Sequence, residues 1–269
     1  MRVNLSVAAL ALLTAPSCFS EDLSASRFSG ALGLGVASIR DYEGGGKSRI
    51  GMASLVSIEM ATRLGTFALG DDGLSWTPID GDALRAGMLV GYDPGRTTSN
   101  RTAGDYRPGS SFLKGMGDVA GTPEAGAFIG WDFGNHAAVN LGVRHGVGGR
   151  GHGGALVAID ATVPIHSGAS LQFAVQPGIA WTDADYAQTY FGVTPAQAAA
   201  SGFAICRPQA GFKSAQVDLV ATYALTPRWS VTANVSYHRL MGDAANSPIV
   251  QQREYAELGA FFAWNFGRK

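Results

Sequence analysis

Cysteine is almost missing from this chain of 269 residues: there are two, Cys18 and Cys206. Cys18 lies in the apolar N-terminal stretch, so Cys206 would be alone in a chain that had lost that stretch. A single thiol forms no internal disulfide, and no Cys/His spacing has the pattern of a structural zinc site. Charge is scarce as well. Charged residues make up 15% of the chain, against roughly 25% in an average soluble domain. The 20 basic and 21 acidic residues balance, which leaves no basic field for a nucleic-acid partner. Beyond the N-terminus no apolar run approaches the roughly 18 residues of a membrane helix. If this chain meets a membrane, it does so with strands.

Residues 1–20, MRVNLSVAALALLTAPSCFS, carry Arg2, an apolar core from Val7 to Leu13, then Pro16 and small residues before Glu21 and Asp22. That is the pattern of a secretory signal, with cleavage expected between Ser17 and Glu21. A second reading makes Cys18 the lipid-bearing first residue of a lipoprotein, although Ala15-Pro16-Ser17 lacks the expected leucine. The remainder, 21–269, reads as one domain.

Residues 214–240 alternate in two segments joined by a short turn. Ala215, Val217, Leu219, Ala221, Tyr223 and Leu225 share one side of the first segment, with Gln216, Asp218, Thr222 and Ala224 on the other. In the second, Trp229, Val231, Ala233, Val235 and Tyr237 oppose Arg228, Ser230, Thr232, Asn234, Ser236 and His238. Successive strand side chains point to opposite faces, so this is a hairpin with one oily and one wet face. Alternating segments of about ten residues ending in rings are what a bilayer-spanning barrel strand needs, because hydrocarbon wets one face and the lumen the other. The same rhythm recurs over 28–39, 50–61, 65–69, 74–79, 82–92, 124–133, 137–145, 155–163, 170–181 and 254–266. This predicts an all-β fold, a closed antiparallel transmembrane β-barrel of about twelve strands. Ten is the alternative, because the pieces 65–69 and 74–79 are short.

The connections sort by parity. If the first strand starts at the periplasmic side, the turns near Thr62, Asp80, Asn135, Ser167 and Pro227 all fall there, and all are short. The other side receives 41–48, 71–73, 93–122, 146–154, 182–213 and 241–252, four of them clearly longer. Short periplasmic turns against long outer loops is the asymmetry of bacterial outer-membrane barrels, and a soluble sandwich has no reason to show it.

The C-terminal third also carries a family resemblance. Its motifs are Tyr190-Phe191-Gly192-Val193, Ala198-Ala199-Ala200-Ser201-Gly202, Gly211-Phe212-Lys213, Arg228-Trp229-Ser230, Gly242-Asp243-Ala244-Ala245 and Ser247-Pro248-Ile249-Val250. Weaker matches upstream are Leu113-Lys114-Gly115-Met116-Gly117 and Trp131-Asp132-Phe133-Gly134. Through these the chain resembles the MipA/OmpV family (MltA-interacting protein type). The resemblance implies a Gram-negative outer-membrane barrel that is not an enzyme. One branch of that family is described as a scaffold joining a murein-cleaving transglycosylase to a murein-building penicillin-binding protein; others look like porins or adhesins.

Candidate site residues follow from the face pattern. Arg85, Gln172, Gln176, Gln216 and Asp218 fall on the lumen side, where they would set the selectivity of a narrow channel for small polar solutes. Arg239, Asp243 and Arg253 lie around the loop 241–252 and could fix the neighbouring loop 182–213. In that loop Thr194 as a cap, Pro195 at the first helical position and Gly202 as a stop predict a short helix, folded across the barrel mouth. His145 and His152 flank the Gly-rich loop 146–154 and could meet a metal, but solvated loop histidines are the expectation. Gly146-Val147-Gly148-Gly149-Arg150-Gly151 lacks the Lys-Ser/Thr ending of a phosphate-binding loop. Asp183 and Asp185, a possible carboxylate pair, are expected to face water at a strand end. No Ser/His/Asp set has a local signature. The chain is therefore expected to be non-enzymatic, to carry no cofactor and no resident metal, and to have membrane lipid and murein enzymes as its partners.

Overall fold

The computed structural model describes residues 27–100, 107–134 and 136–267. The signal segment with Cys18, Arg101 of the long polar loop and Asn135 of an expected turn lie outside the described residues.

Twelve antiparallel strands close into a barrel. They are β1 (Arg27–Arg40), β2 (Ser48–Thr62), β3 (Gly65–Gly70), β4 (Gly73–Asp80), β5 (Leu84–Asp93) and β6 (Thr122–Asp132). The second half holds β7 (Ala138–Gly146), β8 (Ala155–Ser167), β9 (Leu171–Thr182), β10 (Gly211–Thr226), β11 (Trp229–Leu240) and β12 (Glu254–Phe266). Each strand pairs with its neighbours in sequence, and β1 closes on β12 from Gly30↔Phe266 to Ala37↔Gly259. Closure leaves no sheet edge in hydrocarbon, where an unpaired N–H or C=O would cost several kcal/mol. The short pieces β3 and β4 are regularly paired from Thr66↔Thr77 to Gly70↔Gly73, so the count is twelve and not ten.

The expected alternation is what the wall shows. Along β11, Trp229, Val231, Val235 and Tyr237 are exposed on the outer face, while Ser230, Thr232, Asn234, Ser236 and His238 are buried on the lumen face. At the short-turn end the outer face gathers rings. Trp229 stacks on Phe262 with centroids 4.8 Å apart, and Phe266 sits 5.1 Å from Trp264 and 5.3 Å from Phe28. Aromatic rings collect at a membrane interface, and Phe28, Trp264 and Phe266 line the seam where β12 meets β1.

Connections at that rim are 63–64, 81–83, 133–137, 168–170 and 227–228. The opposite rim carries 41–47, 71–72, 94–121, 147–154, 183–210 and 241–253. We call the first the inner and the second the outer rim. In β10 the register shifts between Phe212 and Ser214. That extra residue turns Lys213 inward, where its Nζ meets Glu43 Oε1 at 2.7 Å.

Candidate functional site

The lumen face is polar over most of β7 to β11. Gln216 Nε2 donates to Asp218 Oδ2 at 3.1 Å, and Asp218 lies in register with Gln176, whose Nε2 donates to Thr162 Oγ1 at 3.4 Å. Asn140 Nδ2 donates to Asp160 Oδ2 at 3.0 Å. Gln176, Gln216 and Asp218 therefore form one patch, whereas the other two residues of the expected lumen set stand apart from it. Arg85 is on β5, bonded through Nε to Asp132 Oδ2 at 2.8 Å. Gln172 lies near the inner end of β9, opposite Thr222. Between β12, β1 and β2 the lumen face carries an apolar cluster, with Phe261, Leu55 and Ala37 buried against one another.

Above the lumen, the outer loops fold into a cap. Two helices of the loop 183–210 organise it: α1 (Ala184–Phe191) and α2 (Pro195–Ser201). The predicted helix is α2. Thr194 accepts the Gln197 amide while the Gln197 side chain accepts the Thr194 amide, Pro195 opens the helix, and Gly202 closes it at φ 83°. Sequence reading missed α1. Asp183 does not face water at a strand end: one oxygen caps α1 by accepting from Tyr186 N at 2.9 Å, the other accepts from Ala155 N at 2.8 Å. The signal was present as an Asp cap followed by a run free of Gly and Pro until Gly192. A third short helix, α3 (Gly242–Ala245), lies in the last loop.

The cap has a core of its own. Tyr42, Leu113, Met116, Val193 and Ile249, drawn from four different loops, are buried together with Ala198, Phe203 and Cys206 packed against them. A second cluster joins Phe191, Leu240, Ala244 and Ala245. Polar ties cross between the loops. Tyr42 Oη donates to Ile249 O at 2.8 Å, Gln197 Nε2 to Met116 O at 2.6 Å, Arg96 Nη1 to Tyr190 O at 2.7 Å and Gln251 N to Gly44 O at 2.8 Å. Gly115 has φ 91°, and a Cβ there would meet Ala200 O at 2.5 Å, so only glycine lets its loop touch the end of α2. Burial raises the Tyr42, Tyr186 and Tyr190 hydroxyls above their ordinary pKa and lowers that of the Arg96 guanidinium. The polar segment 94–121 thus supplies a buried arginine and two buried apolar anchors.

Only one of the three expected loop-fixing residues ties the two loops together. Asp243 Oδ2 accepts from Gln209 N at 2.8 Å. Arg253 instead bonds Asn246 Oδ1 within its own loop at 3.0 Å. Arg239 shares the parity of Tyr237 and Val235 and so points outward, where its Nε lies 3.4 Å from Glu254 Oε1. Nor do His145 and His152 meet. His145 is exposed on the outer face of β7, the face of Leu141 and Val143, whereas His152 is buried. It is therefore no solvated loop histidine.

Between cap and lumen lies a cavity of about 260 Å³. Its cap side includes Tyr42, Arg96, Tyr186 and Phe191, and its lumen side Arg144, Asp160, Gln216 and Glu257.

The family model described as MltA-interacting protein MipA matches residues 32–266. The chain belongs to that family. Among curated relatives, outer membrane protein Omp26La of Vibrio anguillarum is 35% identical over 89 residues, which are 33% of this chain and 34% of that protein. Outer membrane protein OmpV of Vibrio cholerae is 34% identical over 89 residues, with the same shares. The matched stretch thus spans about a third of each relative. Among solved structures, OmpT of Vibrio cholerae aligns with 93% of this chain and 100% of its own at 9% identity and a TM-score of 0.40. As a member of the MltA-interacting protein family, the chain is an outer-membrane barrel protein. The motifs around Leu113, Tyr190, Gly242 and Ser247 all fall in the cap.

Proposed function

We propose that this chain is a closed, non-enzymatic barrel that serves as a docking body in the outer membrane, not as a diffusion pore. The observation that supports this reading is the cap's core: five buried side chains from four loops, with Leu113 and Val193 fully enclosed, lie over the lumen. Loops that merely gate a pore need a low-stability contact with it, whereas this contact is built like the interior of a domain. The family description names interaction with MltA, and the partner we infer is a periplasmic murein-cleaving transglycosylase, with a penicillin-binding protein as the second enzyme brought to it. Docking would use the inner rim, where Asp80, Asp82 and Arg228 are exposed. The five short turns there offer little area, so the contact would be small and charge-steered.

The test is retention of an MltA-type transglycosylase by the full-length refolded barrel, beside a variant carrying Asp82→Lys and Arg228→Glu. Retention weakened by the double charge reversal is expected. No retention by the unaltered barrel removes the docking role.

A second reading is a narrow gated channel. The charged cavity favours it, since Arg40, Arg144, Lys213, Asp160 and Glu257 all line that space. Gln176, Gln216 and Asp218 would then select the solute below the cavity, with Arg85 and Gln172 separate from that patch.

A further inference from the structure

His152 is the least expected side chain in the cap. It lies in a glycine-rich loop, yet it is 2% exposed. The loop is pinned on both flanks: Val147 N donates to Pro123 O at 2.8 Å, and Thr122 Oγ1 donates to Arg150 O at 2.9 Å and accepts from His152 N at 3.1 Å. The imidazole is boxed by the rings of Tyr186 and Tyr190, with centroids 5.0 and 5.8 Å away. Gly146 leaves room for it, because a Cβ there would stand 2.8 Å from Nδ1. Neither ring nitrogen makes a hydrogen bond of normal geometry among the described residues.

Nε2 faces two carboxylates, Glu124 Oε1 at 3.4 Å and Asp93 Oδ2 at 3.7 Å. The Glu124 contact is long for a hydrogen bond and the Asp93 contact lies beyond one, since these fall at roughly 2.7–3.2 Å. Both separations suit a shared ion. Ligands held roughly 2.0–2.2 Å from a tetrahedral cation stand roughly 3.3–3.6 Å apart. One ligand atom from each residue, Asp93, Glu124 and His152, falls within 4.8 Å of the other two. The oxygen of Asp93 that is turned away from the imidazole is engaged: Oδ1 accepts from Tyr190 Oη and Gly95 N, both at 2.7 Å. That is the support a ligating carboxylate needs if its other oxygen is to point one way. Asp93 and Glu124 also line the cavity, so an ion between them and His152 is reached from the lumen.

We propose that Asp93, Glu124 and His152 form a binding site for one divalent cation of the zinc class, with a fourth position open to the cavity. One imidazole and two carboxylates make a nitrogen and oxygen donor set that suits zinc better than the all-oxygen shells of calcium or magnesium. Bound there, the ion joins the ends of β5 and β6 to the loop 147–154 beneath α1. It would act as a staple between barrel and cap, whatever the barrel docks or conducts.

The test uses the untagged full-length protein, refolded in detergent, stripped with chelator and titrated with zinc chloride by calorimetry at neutral pH. Glu124→Gln and His152→Ala are compared with His145→Ala, each checked for the folded barrel by its heat-modifiable mobility on gels. One zinc per chain is expected in the unaltered protein and in His145→Ala, with affinity lower by on the order of tenfold or more in the other two. The glutamine variant keeps the shape of the site and decides the matter if the alanine variant does not refold. No zinc uptake by the unaltered chain, or uptake unchanged by loss of Glu124 or His152, overturns the proposal.

Discussion

The two rims of this barrel are built on opposite principles. At the inner rim five connections of a few residues each leave exposed charges such as Asp82 and Arg228, and rings such as Trp229 and Phe262 face lipid nearby. At the outer rim the loops do what a small domain does: they bury apolar side chains from distant parts of the sequence and cap their own helices. The cap can therefore be loosened without breaking the wall, because the ladder that closes β1 on β12 draws nothing from it.

Removing 192–211 is the harshest way to test that separation. The deletion takes Val193, Ala198, Phe203 and Cys206 from the central cluster, and amide protection over 94–121 and 241–253 should collapse in hydrogen exchange. Heat-modifiable mobility, which reports the closed wall, should persist; its loss would mean that the wall depends on the cap. Leu113→Ala removes one fully buried anchor and should cost about 2–5 kcal/mol of cap stability, seen as faster exchange in the cap with the strand amides unchanged. Thr194→Ala breaks the capping box and should cost about 1 kcal/mol, confined to α2 and the contact Gln197 makes with Met116. Asp118 sets the gentlest test. The backbone N–H of Thr98, helped by the hydroxyls of Thr97 and Thr98, holds its carboxyl below the usual range against the opposing effect of burial. A depressed folded-state pKa means stability present above the ordinary value of 3.8 and lost as pH falls through the lowered one. Exchange protection of the Thr98 amide should follow that curve and become flat in Asp118→Asn.

The same contrast explains what could be read from the sequence. The wall was legible residue by residue, because a strand between lipid and lumen must alternate. Trp229 to Tyr237 against Ser230 to His238 fixes both faces. The alternating rhythm points to about twelve strands but leaves ten open, because β3 and β4 are short; their regular pairing decides for twelve. Within the cap only α2 announced itself, since Thr194, Pro195 and Gly202 are local signals. Leu113, Arg96 and Ile249 gave none. Their burial depends on partners more than fifty residues away, and a segment rich in Gly, Ser, Thr and Arg reads as solvated until those partners are placed. His152 and His145 flank one loop in the sequence, but strand parity sends His145 to the outer face and leaves His152 beside Asp93 and Glu124. Arg239 was misplaced for the same reason, its nearness to Asp243 in sequence hiding its outward face.

The claim that most needs testing is that the outer mouth is shut. Single-channel conductance of the refolded full-length protein in a planar bilayer tests it directly. The cap's buried core predicts silence from protein that is inserted and folded by its gel mobility. Steady conductance from the same protein would contradict the closed barrel and make the charged cavity beneath the cap part of an open path.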